Sequence, residues 1–145
     1  MEGPGVRITW CVGHLVELAN PESYKSEWKS WRLETLPMLP EKFDLVARDG
    51  AKDQWRVVKR LLGEQRDGEI INACDAGREG ELIFARAYQL SRCKLPIRRL
   101  WISSMTDAAI REGFDKLRSG ESMQPLEDAA RCRAEADWLI GLNAT

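Results

Sequence analysis

Three times along this chain a short strand-like run hands over to a helix-like one. Phe43, Leu45 and Ala47 alternate as a strand does and "RDG" supplies a turn. Lys52 to Leu62 then puts Trp55, Val58 and Leu62 on one face at three- and four-residue spacing. A strand at Glu69 to Cys74 leads into a helix from about Arg78 to Leu90. A third, near Arg98 to Ile102, precedes a helix with Thr106 as its N-cap. Strands alternating with helices predict an α/β domain with a largely parallel sheet flanked by helices. Val6, Ile8, Trp10 and Val12 alternate as an earlier strand with one face more deeply buried. The 145 residues hold one domain with a real core and a piece of a second. A last helix begins near Pro125, where proline suits the first turn, and runs toward Leu142.

From Pro21 to Pro40 the chain is an irregular but ordered excursion carrying Tyr24, Trp28, Trp31 and "LPMLP". Met105 and Ile110 flank Thr106 at the spacing of a hydrophobic staple, and Ile110, Phe114 and Leu117 continue a buried face. Lys and Arg total 22 against 23 Asp and Glu, a net charge of -1, so any polyanion site must be local. Lys52, Arg56 and Lys59 share a helix face that is either solvated surface or a contact to a phosphate backbone. The four cysteines are scattered without a C-x-x-C pair, and a reduced, cytoplasmic protein is the simpler reading. No apolar run approaches the roughly 20 residues of a membrane helix, so no membrane partner is expected.

"DAGREGE", Asp75 to Glu81, gathers three acids and two glycines where a strand ends and a helix begins. Sites in open α/β sheets form beyond the carboxyl ends of strands. Gly77 and Gly80 allow a tight turn and close approach. Asp75 and Glu79, four apart, could converge on Mg²⁺, which prefers carboxylate and water oxygens. Equally, acids in a first turn favourably meet the positive end of a helix. Neither a Walker loop nor a dinucleotide fingerprint is present.

"VRITWCVGHLVELANPESY", "WKSWRLETLPMLPEKFDLV", "DAGREGELI", "RRLWISSMTDAAI" and "RAEADWLIGLNAT" occur in this order. Together they resemble bacterial topoisomerase III, a family of type IA DNA topoisomerases, over nearly the whole chain. The resemblance implies a Toprim domain over residues 1–120, lacking its first strand, and the first helix of the following helical domain over residues 121–145. In that family a glutamate of the first strand and a D-x-D-x-E cluster bind Mg²⁺ and support cleavage and religation of single-stranded DNA by a tyrosine of another domain.

Carried over, Asp75 matches the first aspartate and Glu79 the glutamate, while the middle aspartate is Gly77 here. That departure leaves one fewer metal-facing carboxylate. Arg78 matches the arginine of the acidic motif, positioned to hold a phosphate or orient the acids, or else to form a surface ion pair. Arg133 matches an arginine near the cleavage site, and it also stands four residues from Asp137, with which it could simply pair. Trp31 and Trp138 are candidates for stacking on bases or lining a DNA groove, with burial as the alternative, whereas Trp10, Trp55 and Trp101 read as core. His14, in "GHL", reads as a hydrogen-bonded structural residue.

The family's first-strand glutamate and nucleophilic tyrosine have no counterpart, since Tyr24 and Tyr88 sit outside the nucleophile motif. The expectation is an internal segment of an isomerase that works with the remaining domains of a longer chain and does not cleave DNA alone. Two rivals stand beside it. One is a non-catalytic module that binds nucleic acid or another subunit. The other is a different Toprim enzyme, a primase or nuclease, against which the tryptophan-rich segment and the "ADWLIGLN" ending argue.

Overall fold

A computed structural model describes residues 2–3, 5–64 and 66–144. Among the described residues seven short strands and four α-helices follow one another: β1 (Glu2–Gly3), β2 (Val6–Arg7), β3 (Val16–Leu18), β4 (Leu45–Ala47), α1 (Lys52–Glu64), β5 (Ile70–Asn72), α2 (Arg78–Ser91), β6 (Ile97–Arg99), α3 (Asp107–Asp115), β7 (Arg118–Ser119) and α4 (Gln124–Asn143). The strand-to-helix alternation is as the sequence predicts. Among the described residues, however, the strands form three small sheets, and parallel pairing is confined to β5 and β6, with Ile70 opposite Ile97. β7 adds to β6 antiparallel, β3 pairs antiparallel with β4, and β1 and β2 make a hairpin.

The core lies where the β3–β4 pair meets α1 and α2. Leu15 and Val16 are 1% exposed and pack with Trp55, Val58 and Ala87, while Cys11, Leu45, Leu62 and Leu90 close the edges. Burying a side chain of this size contributes about 1.5–3 kcal/mol. α1 thus buries the face its spacing predicts. Its basic face stays in solvent, where Arg56 meets Asp53 at 2.7 Å and Arg60 approaches Glu64 at 4.0 Å.

Three expectations about burial are corrected. Val6, Ile8, Trp10 and Val12 are between 55 and 68% exposed, so neither the early alternating run nor Trp10 belongs to the core. Among the described residues β2 pairs only with the two-residue β1, and the apolar row stays largely exposed. Thr106 does cap α3, its hydroxyl accepting from the Ala109 N–H at 3.3 Å, but Met105 is 80% exposed and makes no staple. Phe114 is likewise exposed, because α3 docks through its backbone: a Cβ at Gly113 would run into Ile102 and Leu100.

The 21–40 excursion is ordered by three 3-10 turns, at Pro21–Ser23, Ser26–Lys29 and Leu33–Thr35. α4 lies along α2, with Ala130 buried, and is clasped by the excursion. The Asn143 carboxamide exchanges two hydrogen bonds with the Met38 backbone, accepting from N–H at 2.6 Å and donating to C=O at 3.1 Å.

Candidate functional site at the acidic turn and the cleft between two helices

The acidic turn is built on a buried cation. Arg99, on β6, is fully buried, and its guanidinium donates to Glu81 Oε1 at 2.5 Å and to the carbonyls of Asn72, Cys74, Asp75 and Leu100 at 2.6 to 3.1 Å. Glu81 also accepts from the Asn72 side chain at 3.2 Å. The last residues of β5 and the first of the turn are therefore tied to β6 by one charged, hydrogen-bonded group, the strong kind of hydrogen bond. Trp101 lies 5.0 Å from Arg99 and 5.1 Å from Arg118, so its ring packs against cations rather than in the apolar core its sequence pattern suggests. Contact with the Cys11 thiol and burial push the Cys74 thiol up and keep it protonated.

Gly80 completes the turn. A Cβ there would run into the Asp75 carbonyl, so the start of α2 approaches the turn as only glycine permits. Gly77, the N-cap of α2, has extended backbone and open space around it; glycine is not required by packing at that position.

Beyond the turn, a cleft of about 880 Å³ lies between α2 and α4 and is bordered by His14 and by Glu17 and Leu18 of β3. α2 supplies Arg78, Glu79, Leu82 and Arg86, α4 supplies Arg133, Asp137 and Trp138, and His14 and Glu17 face them from below. The Glu79 carboxylate and His14 Nε2 share a close hydrogen bond, while His14 Nδ1 is buried without a hydrogen-bond partner among the described residues. Arg133 reaches Asp137 at 3.6 Å along the helix, with both side chains mostly exposed, so the expected pairing and a position on the cleft hold together. Arg86 is half-buried, and burial lowers its pKa.

Of the residues singled out from sequence, Arg78, Glu79, Arg133 and Trp138 line this one cleft. Asp75 does not. Its carbonyl accepts from Arg99, and its exposed side chain is not among the groups that line the cleft with Glu79. Trp31 is 50% exposed, and its indole N–H donates to the Leu142 carbonyl at 2.9 Å, which makes it a clasp on the end of α4. Trp138 donates to the Ala19 carbonyl at 3.1 Å and packs edge-on with Tyr24 and Phe43 at 6.0 and 5.4 Å, so it is anchored while still bordering the cleft. His14 is hydrogen-bonded, as expected, but to the candidate acid itself. The sequence reading missed Arg99, Glu81 and Arg86. A charged residue inside an apolar strand was the available signal for the first, and the eight-residue step from Arg78 across Leu82 for the last.

As a metal centre the residues fit in a limited way. No group of three or more His, Cys, Asp or Glu side chains that could hold an ion exists among the described residues. Mg²⁺, however, keeps several waters and takes as few as one or two carboxylates together with phosphate oxygens. Glu79, released from His14, and Asp75 are oxygen donors of that chemistry.

The chain is 48% identical over all 145 residues to DNA topoisomerase 3 of Shouchella clausii, 49% to that of Bacillus subtilis and 46% to that of Staphylococcus epidermidis. In each case it spans 20% of the relative's length. Residues 2–105, which include β1 to β6, the acidic turn and α2, match the Toprim domain. The chain belongs to the Toprim domain family.

Proposed function

We propose that this chain is the Toprim part of a type IA DNA topoisomerase, an isomerase, and that its cleft holds a segment of single-stranded DNA for strand cleavage and religation completed by other domains of a longer, cytoplasmic polypeptide. On this reading α4 opens the next domain, from about residue 121. The observation that carries the proposal is that Arg78 and Arg133, from two different helices, face one cleft beside the acidic turn. Guanidiniums on opposite walls grip phosphates from both sides, and the anchored Trp138 ring offers a surface against which a base can rest.

Asp75 and Glu79 are the residues that would hold Mg²⁺, and the bound ion would supply charge neutralisation at a phosphodiester. His14 then has a defined part. It bonds to the Glu79 carboxylate and keeps that side chain at the cleft wall. Among the described residues no helix is long and apolar enough to cross a membrane, which is compatible with the cytoplasmic reading.

The second reading, a binding module without catalysis, draws on that same pair, because His14 engages a Glu79 carboxylate oxygen. Fluorescence anisotropy of labelled oligo(dT) separates the two. The topoisomerase reading expects salt-dependent binding with a log–log slope of magnitude at least about 1.4, roughly 0.7 for each phosphate met by Arg78 and Arg133. It also expects a Mg²⁺ response that Asp75→Ala and Glu79→Ala abolish. Binding indifferent to Mg²⁺ in all three chains would favour the module, and no binding at all would refute both.

A further inference from the structure

α2 presents a second guanidinium to the cleft. Arg86 lies two turns beyond Arg78, with Leu82 between them on the same wall, about 12 Å along the helix axis. Arg133 has Asp137, but Arg86 makes no hydrogen bond or ion pair among the described residues. The carboxylates of Glu79, Glu135 and Glu17 act on it only from farther off. It also borders a smaller hollow that continues past Leu82 toward Glu127, so it stands at the seam of two spaces. A half-buried charge without a close counter-charge is costly, and evolution usually pairs or removes one. A guanidinium left open on a cleft wall matches an ionised phosphate bidentately.

We propose that Arg86 is a phosphate-binding residue and that the polynucleotide backbone runs along α2 from Arg78 to Arg86. This rests on the reading that the cleft holds a DNA strand, and it adds the strand's direction and a third contact.

The test is oligo(dT) anisotropy against salt with the 145-residue chain and its Arg86→Gln, Arg86→Lys, Arg78→Gln and Arg56→Gln variants. Arg86→Gln is expected to weaken binding at least fivefold at low salt and to reduce the slope by about 0.7, the share of one phosphate. Arg86→Lys keeps the slope and loses affinity through its poorer geometry. Arg56→Gln, on the exposed face of α1, changes neither. Should Arg86→Gln lose helicity by circular dichroism, oligo(dT) protection of Arg86 in the unaltered chain from an arginine-selective dicarbonyl, read by mass spectrometry, takes its place; protection supports the assignment and its absence overturns it. A folded Arg86→Gln chain with unchanged slope, beside a weakened Arg78→Gln chain, removes Arg86 from the path and leaves the DNA reading standing. Failure of the unaltered chain to bind overturns both.

Discussion

Replacing Glu81 with alanine removes the only carboxylate within ion-pairing reach of the buried Arg99 guanidinium among the described residues. The two side chains are 5% and 1% exposed and meet at 2.5 Å, so water cannot take the place of the lost partner without opening the fold. Removing one member of such a pair costs roughly 3–5 kcal/mol, since the remaining charge is stranded. The Asn72 side chain also loses its acceptor. Against a total stability of about 5–15 kcal/mol, that is a large fraction. The midpoint of thermal unfolding should fall by about 10 °C, at roughly 2–4 °C for each kcal/mol in a chain near this size. Glu81→Gln keeps one acceptor oxygen for Arg99 but sets its NH2 group against the Asn72 amide donor and loses the charge, so it should recover only part of that cost. Urea unfolding followed by circular dichroism measures both variants, with an unchanged m-value identifying a true change of stability. A Glu81→Ala chain within about 1 kcal/mol of the parent, with the same m-value, would refute the view that this pair organises the turn.

The two glycines of the turn should behave in opposite ways. Gly80→Ala places a methyl group against the Asp75 carbonyl and is expected to cost at least about 1–3 kcal/mol in urea unfolding. Gly77→Asp has open space and extended backbone and supplies a preferred N-cap, so stability should hold or rise by about 0.5 kcal/mol. The same variant adds a carboxylate at the cleft, and Mn²⁺ binding read by electron paramagnetic resonance should tighten. Burial raises the pKa of Glu127 above the ordinary carboxylate range. The folded chain therefore holds this proton more tightly than the unfolded chain, and stability falls as pH rises through the window between the two values. Glu127→Gln lacks that fall, so its advantage over the parent should grow from pH 4 to pH 7 in urea titrations and should not reverse.

What the sequence made legible was whatever local period and local chemistry decide. α1, α2 and α4 lie within a few residues of their expected bounds, because Trp55 and Val58, the "DAGREGE" junction and Pro125 are all read within a single turn or face. β3 went unrecognised since three residues, Val16 to Leu18, are too few to show a period, and only pairing with β4 makes them a strand. The exposed row from Val6 to Val12 shows the converse: alternation establishes that two faces differ, not that either one is covered. At the site, Arg78, Glu79 and Arg133 were recognised by motif, and the structure groups them. Arg99 and Arg86 belong to no local pattern. Their parts follow from which carbonyls and which cleft the tertiary fold brings to them.

The central claim is that the cleft between α2 and α4 receives a polynucleotide strand. Backbone amide correlation spectra of the isotope-labelled chain, titrated with oligo(dT), test it directly. Shifts are expected along α2 from Arg78 to Arg86 and along α4 from Ala130 to Trp138. Shifts confined to Arg56, Lys59 and Arg60 on the outer face of α1, or no shifts at all, would contradict it.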